Sequence, residues 1–179
     1  MIKRFIGSIS VLVLGLMLSA AVGAQTAVPA EGAKAPAFKL TSNEGKQVSL
    51  KDYKGKYVVL YFYPKDFTSG CTLEAKNFER DIAKYEAAKA VVLGVSVDTA
   101  DSHKEFCTKE GLSFKLLSDT DAAVSTAYGS VMEYNGNKLS ARNTFIIDGK
   151  GKIVKVFTKV KPSGHSDEVL AAIAELKKS

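Results

Sequence analysis

The sequence predicts an α/β domain built on one central mixed sheet with helices on both faces. Three observations carry this. Two runs of β-forming residues, 57–63 and 90–98, are nearly continuous in apolar character, as expected of strands covered on both faces. They alternate with stretches of helical periodicity, the pattern of a layered α/β fold. The last two strands are joined only by Asp148-Gly149-Lys150-Gly151. That link is too short for a crossover, so this pair is antiparallel and the sheet is mixed.

Each element has a local reason. YVVLYFY (57–63) is a buried strand. CTLEAKNFERDIAKYEAA (71–88) sets Ala75, Phe78, Ile82 and Tyr85 three or four residues apart behind Leu73, one apolar face of a helix. AVVLGVSVD (90–98) is the second buried strand. SHKEFCTKEG (102–111) opens with Ser102 and Glu105 in capping-box spacing and stops at Gly111, so it reads as a short helix. FKLLSD (114–119) is a short strand and DAAVSTAYG (121–129) a short helix. NTFIIDGKGKIVKVF (143–157) is the antiparallel pair, and HSDEVLAAIAELKK (165–178) a closing amphipathic helix. The expected order is β-α-β-α-β-α-β-β-α.

The chain has 179 residues, 46% of them hydrophobic, which suits one domain, placed at 37–179. The net charge of +6 comes from scattered lysines. No run of five like charges and no basic stripe with interleaved aromatics exists, which argues against a nucleic-acid partner. Residues 1–24 read as a signal peptide. Lys3 and Arg4 precede an apolar stretch from Phe5 to Leu18, and Val22-Gly23-Ala24 satisfies the small-residue cleavage rule. The stretch is short for a membrane span of about 20 residues, and no cysteine follows it to carry a lipid. Cleavage after Ala24 implies a protein free of the membrane in a periplasm or equivalent exported space. Residues 25–36 (QTAVPAEGAKAP) read as a flexible leader.

Two cysteines in an exported protein ordinarily suggest one structural disulfide. The stretch YFYPKDFTSGCTLEA (61–75) suggests something further. A strand ends at Pro64, a polar loop follows, and Cys71 opens a helix. Unpaired N–H groups and the positive end of the helix dipole favour an anion there. Thr68 can donate a hydroxyl into the same space, and Gly70 admits close approach. On these residues alone, an activated thiolate and an inert buried cysteine remain open alternatives. Glu74 read alone is a dipole partner of its helix, and Arg142 a solvated charge. His103 and His165 are too few and too separated to suggest a metal site.

Pro64, Thr68 and Cys71 stand in the P-x-x-x-T-x-x-C pattern of the peroxiredoxins, and YFYPKDFTSGCTLEA closely resembles the PrxQ, or bacterioferritin comigratory protein, subfamily. The likeness continues through GVSVDTADSHKEFCTKEGLSFKLLSD, RNTFIID and GHSDEVL, and covers nearly all of residues 32–178. It implies a thioredoxin-like fold. It further implies that Cys71 is the peroxidatic cysteine, that Thr68 hydrogen-bonds the thiolate and the peroxide, and that Pro64 shields the pocket. Arg142 would stabilise the thiolate and polarise the peroxide, and Glu74 would orient the site. Many PrxQ members carry a second cysteine five residues after the first. Here that position is Lys76, and Cys107 resembles the resolving cysteine of members that carry it on the helix after the next strand. Ser69 stands where a proline is usual, and Phe67 where an acidic residue is usual.

The reaction implied is thiol-dependent reduction of hydrogen peroxide and organic hydroperoxides. Cys71 becomes a sulfenic acid, Cys107 condenses with it as a disulfide, and a thioredoxin-like or glutaredoxin-like donor restores both thiols. The resemblance implies no metal or organic cofactor and a monomeric protein. Two cysteines on separate helices that do not already touch cannot bond without local unfolding, so the first turn of the Cys71 helix and the Cys107 helix are expected to rearrange on oxidation. The rivals are a binding domain stapled by Cys71–Cys107 and a disulfide exchanger; the absence of any C-x-x-C weighs against the latter.

Overall fold

The computed structural model describes residues 27–178. The signal peptide expected over 1–24 lies outside the described residues. The elements run β1 (Lys39–Ser42), β2 (Gln47–Ser49), a 3-10 turn (Leu50–Tyr53), β3 (Tyr57–Phe62), α1 (Ser69–Arg80), α2 (Ile82–Ala87), β4 (Ala90–Ser96), α3 (Ala100–Glu110), β5 (Lys115–Ser118), α4 (Ala123–Ala127), β6 (Val131–Tyr134), β7 (Asn137–Ser140), β8 (Thr144–Ile147), β9 (Ile153–Phe157) and α5 (His165–Leu176). Seven strands form one sheet in the order β2-β1-β5-β4-β3-β8-β9, and β6-β7 form a separate hairpin. β3 runs parallel to β4 and antiparallel to β8, and β8–β9 is antiparallel, so the sheet is mixed as expected.

β3 divides the core by its two-residue period. Val59, Tyr61 and Tyr63 face a cluster holding Cys71, Phe78, Cys107, Val169 and Ile173. Val58, Leu60 and Phe62 face a second cluster with Leu117, Tyr128 and Phe145. Burying each large side chain of this strand contributes roughly 1.5–3 kcal/mol. Gly94 on β4 sits opposite Tyr61. A Cβ there would lie 2.6 Å from Leu116 Cδ2 and 2.8 Å from the Tyr61 hydroxyl, so glycine is what lets Tyr61 lie across the neighbouring strand.

The structure departs from the sequence reading in four places. The helix expected over 71–88 is two helices, α1 and α2, separated at Asp81, whose backbone stands at φ −101, ψ 7. Its buried carboxylate accepts from Arg80 at 2.5 Å, from Lys84 at 2.8 Å and from Ser166 of α5 at 2.9 Å. The Arg80 guanidinium above all holds it well below the usual carboxylate range. α3 begins earlier than expected, because Thr99 rather than Ser102 is the cap and accepts the Ser102 N–H at 3.2 Å. Its end at Gly111, with φ 68, is as expected. The hairpins β1–β2 and β6–β7 were not anticipated; Asn135 and Gly136 at φ 50 and 77 make the second turn, a conformation that Asn-Gly favours. Residues 32–35, read as part of a flexible leader, are tied to the sheet. Gly32 donates to the Ile153 carbonyl at 2.8 Å, Ile153 to that of Ala33 at 2.9 Å, and Ala35 to that of Gly151 at 3.0 Å.

Candidate active site

The site forms where β3 releases the chain. Tyr63 is still buried, and Pro64 then turns the backbone out of the sheet without needing an N–H partner. The loop is pinned from several sides. The Tyr63 hydroxyl donates to Asp66 Oδ1 at 2.7 Å, and the Asp66 N–H donates to Asp98 Oδ2 at 2.9 Å. Phe67 adopts φ 60, which costs a side chain of this kind about 1–2 kcal/mol. Its ring rests on Phe106 of α3, centroids 5.1 Å apart, with Lys109 Nζ 5.4 Å above it. The residue unusual for the subfamily therefore joins the loop to α3.

Thr68 caps α1 with its backbone, but its hydroxyl donates to the Lys65 carbonyl at 3.0 Å instead of to the helix or to Cys71. Cys71 is the third residue of α1, within the first turn, and is buried. Arg142 enters from the loop between β7 and β8, held by its carbonyl, which accepts the Val160 N–H at 3.0 Å. Its guanidinium is shared. Nη2 donates to Cys71 Sγ at 3.1 Å and Nη1 to Glu74 Oε2 at 2.5 Å. Gly70 leaves room for it, since a Cβ there would stand 3.0 Å from Nη2. Burial pushes the Glu74 carboxyl up to about 7 despite the opposing pull of Arg142.

Cys71, Glu74 and Arg142, distant in sequence, are thus brought together. Pro64 and Thr68, with Lys65, form one wall of an open groove of about 630 Å³, whose other wall is Met132, Tyr134, Asn135, Asn137 and Leu139 of the β6–β7 hairpin; the Cys71, Glu74 and Arg142 cluster does not itself line it. Sequence reasoning missed that wall, although Asn135-Gly136 was a readable hairpin signal. Cys107 lies apart on α3, in the same apolar layer as Cys71. Both are free thiols on intact helices. Burial pushes the Cys107 thiol up to about 12, with Asp66 adding to the shift. The two histidines serve different places: His103 bonds Asp66, and His165 bonds Thr144 at 2.9 Å.

This arrangement offers a buried sulfur at a helix N-terminus and a fixed guanidinium fork on it, with Pro64 and Thr68 of the preceding loop lining an open groove. Residues 32–156 match the AhpC/TSA family. Peroxiredoxin Bcp of Xanthomonas campestris is 41% identical over 138 residues, spanning 75% of this chain and 86% of that protein. Peroxiredoxin Bcp of Bacillus subtilis is 40% identical over 152 residues, 81% of this chain and 95% of the relative. Among solved structures, the Xanthomonas campestris bacterioferritin comigratory protein, studied for alkyl peroxide reduction, superposes with TM-score 0.73 at 38% identity over 78% of this chain and 91% of that one. A mutant of Xylella fastidiosa PrxQ gives TM-score 0.76 at 32% identity, over 83% and 99%. The fold, the shared guanidinium at Cys71 and these likenesses together place the chain in the AhpC/TSA family, among the Bcp/PrxQ peroxiredoxins.

Proposed function

We infer that the protein is a thiol peroxidase acting through Cys71. The observation that carries this is the Arg142 fork, with one nitrogen on Cys71 Sγ and the other on the buried Glu74 carboxyl. The Cys71 thiolate attacks one oxygen of a hydroperoxide, the O–O bond breaks, and water or an alcohol leaves as Cys71 becomes a sulfenic acid. Negative charge moves from sulfur to the departing oxygen. A planar donor fork already fixed beside the sulfur can follow that charge without reorganising. Pro64 and Thr68 border the approach, and the Thr68 hydroxyl, bound only to Lys65 in the resting site, can turn toward a bound peroxide. Met132, Tyr134 and Leu139 on the mixed hairpin wall, beside Asn135 and Asn137, support organic hydroperoxides as substrates beside hydrogen peroxide.

Cys107 is the partner that closes the disulfide. Both cysteines sit on wound helices in the reduced protein, and the reading includes a local rearrangement around them as the bond forms. A thioredoxin-like or glutaredoxin-like dithiol then restores the thiols. The reading extends to a monomer exported to an oxidising compartment after removal of residues 1–24.

The test is to give pre-reduced protein one equivalent of hydrogen peroxide and follow peroxide and free thiols together. The parent should lose both thiols rapidly. Cys71→Ser should lose the fast reaction, and Cys107→Ser should hold a sulfenic acid that dimedone captures. Peroxide loss no faster than with a free thiol in solution would make the pair a structural staple instead.

A further inference from the structure

Among the described residues, three buried side-chain atoms have no hydrogen-bond partner: Tyr61 Oη, Glu74 Oε1 and His103 Nε2. Glu74 belongs to the site at Cys71. His103 is used by nothing described so far, yet its ring is fully buried on α3. Its Nδ1 lies 2.8 Å from Asp66 Oδ2 and 3.3 Å from the Tyr63 hydroxyl. The Asp66 carboxylate also accepts from Tyr63 and from Ser102, both at 2.7 Å. An ionised carboxylate only accepts, so a neutral ring carries its proton on Nδ1 and keeps a lone pair on Nε2. An acid orienting an imidazole through Nδ1 is the arrangement that prepares a ring to accept a proton from a nucleophile.

A nucleophile that needs this stands one helical turn away. Cys107 is four residues beyond His103, a spacing that sets the two on one face of α3, with no hydrogen bond between Nε2 and the Cys107 sulfur in the resting protein. Both are buried. Burial pushes the Cys107 thiol up to about 12, so it is protonated at neutral pH, whereas the thiolate is the form that attacks. α3 is held along its length. Its first turn is anchored by the Thr99 cap and by the bonds of Ser102 and His103 to Asp66. Its later turns are held by fully buried Phe106, by Phe67 against Phe106 and Lys109, and by the Lys76–Glu110 pair at 3.4 Å. The i, i+4 spacing therefore keeps the Cys107 sulfur near the ring while the helix is wound.

We propose that His103, oriented by Asp66, takes the proton of the Cys107 thiol as the disulfide forms. This rests on the reading of Cys107 as the residue that condenses with the Cys71 sulfenic acid. The proton passes to Nε2, the Cys107 sulfur bonds to Cys71 Sγ, and the Cys71 S–O bond breaks. The departing hydroxide takes the proton back from the imidazolium and leaves as water. The Cys107 sulfur is oxidised and the Cys71 sulfur reduced by equal amounts, and His103 returns neutral. The titratable groups facing the ring are Asp66 and Tyr63 from the loop after β3 and Cys107 on α3. Asp98, after β4, reaches only the Asp66 N–H.

Rapid quenching and intact-mass counting of sulfenic acid and disulfide, from pH 5 to 9, test this in the parent, His103→Asn and Cys107→Ser. Asparagine keeps a donor toward Asp66 and removes the Nε2 lone pair. The parent's disulfide-forming rate should climb by far less than about tenfold per pH unit between about pH 7 and 9. In His103→Asn that step should be roughly 100-fold slower near pH 7 and rise about tenfold per pH unit, with sulfenic acid accumulating. His103→Asn closing the disulfide at the parent's rate would overturn the proposal. So would a parent rate that climbs about tenfold per unit up to about pH 9, a result that needs no variant to fold. If Cys107→Ser fails to trap a sulfenic acid, the assignment of Cys107 itself fails and takes the proposal with it.

Discussion

Arg142 serves two partners with two nitrogens, and its replacement separates catalysis from stability. Arg142→Ala removes a charge-assisted donor from Cys71 Sγ, where the reacting charge lies. Loss of one such preorganised donor costs roughly 100- to 1,000-fold in rate, or about 3–4 kcal/mol. Arg142→Lys keeps the charge, but one ammonium does not reproduce a planar fork. A loss of roughly tenfold or more is expected from a single weakened charge-assisted bond. Stability responds differently. Glu74 has a value near 7 in the fold against an ordinary 4.5. Its burial therefore already costs about 3 kcal/mol at pH 7. Deleting Arg142 raises that value further, but proton uptake limits the added loss at pH 7 to under about 1 kcal/mol. Near pH 9 the proton is scarcer, and the variant should fall behind the parent by a margin that grows with pH. Stopped-flow competition for hydrogen peroxide gives the rates, and urea unfolding at pH 7 and 9 the stabilities. Rates within about threefold of the parent for both variants would refute the role of the fork. A loss of several kcal/mol at pH 7 would refute the account of Glu74.

Two further substitutions probe the same contacts. The raised Glu74 value means that stability present below pH 4.5 is lost as pH rises through about 7. Glu74→Gln should remove about 3 kcal/mol of that fall between pH 5 and 8, read by urea midpoints; equal slopes in both proteins would mean that the carboxyl is not shifted. Gly70→Ala puts a Cβ 3.0 Å from Arg142 Nη2. Because alanine favours a helix over glycine by roughly 0.5–1 kcal/mol, the variant should be as stable as the parent while reacting with peroxide roughly tenfold more slowly. A parent-like rate would show that the guanidinium has room to yield.

Much of this architecture was readable because it is written in local periodicity. β3, β4, β5, α5 and the β8–β9 hairpin fall within a few residues of their expected limits, since strands covered on both faces leave near-continuous apolar runs and an apolar helical face leaves three- and four-residue spacings. The break at Asp81 was not legible. The apolar face continues across it, and what ends α1 is a set of bonds from Arg80, Lys84 and Ser166, the last of them far along the chain. The β6–β7 hairpin was legible in Asn135-Gly136, but its exposed strands lack the burial that makes a strand conspicuous.

By itself the sequence determined which chemistry is available: a cysteine at the start of a helix after a strand and a proline, a threonine before it, and a motif shared with the peroxiredoxins. Those are local relations along a few residues, and local relations survive in a linear string. Tertiary structure alone decided how the chemistry is assembled. It carries Arg142 across from a loop between β7 and β8 to the Cys71 sulfur and the Glu74 carboxyl. It buries Cys107 on a helix one turn beyond a histidine whose free nitrogen has no partner. Reading those distances requires knowing which strands pair, and pairing is set by the burial of both faces of the whole sheet at once rather than by any single stretch.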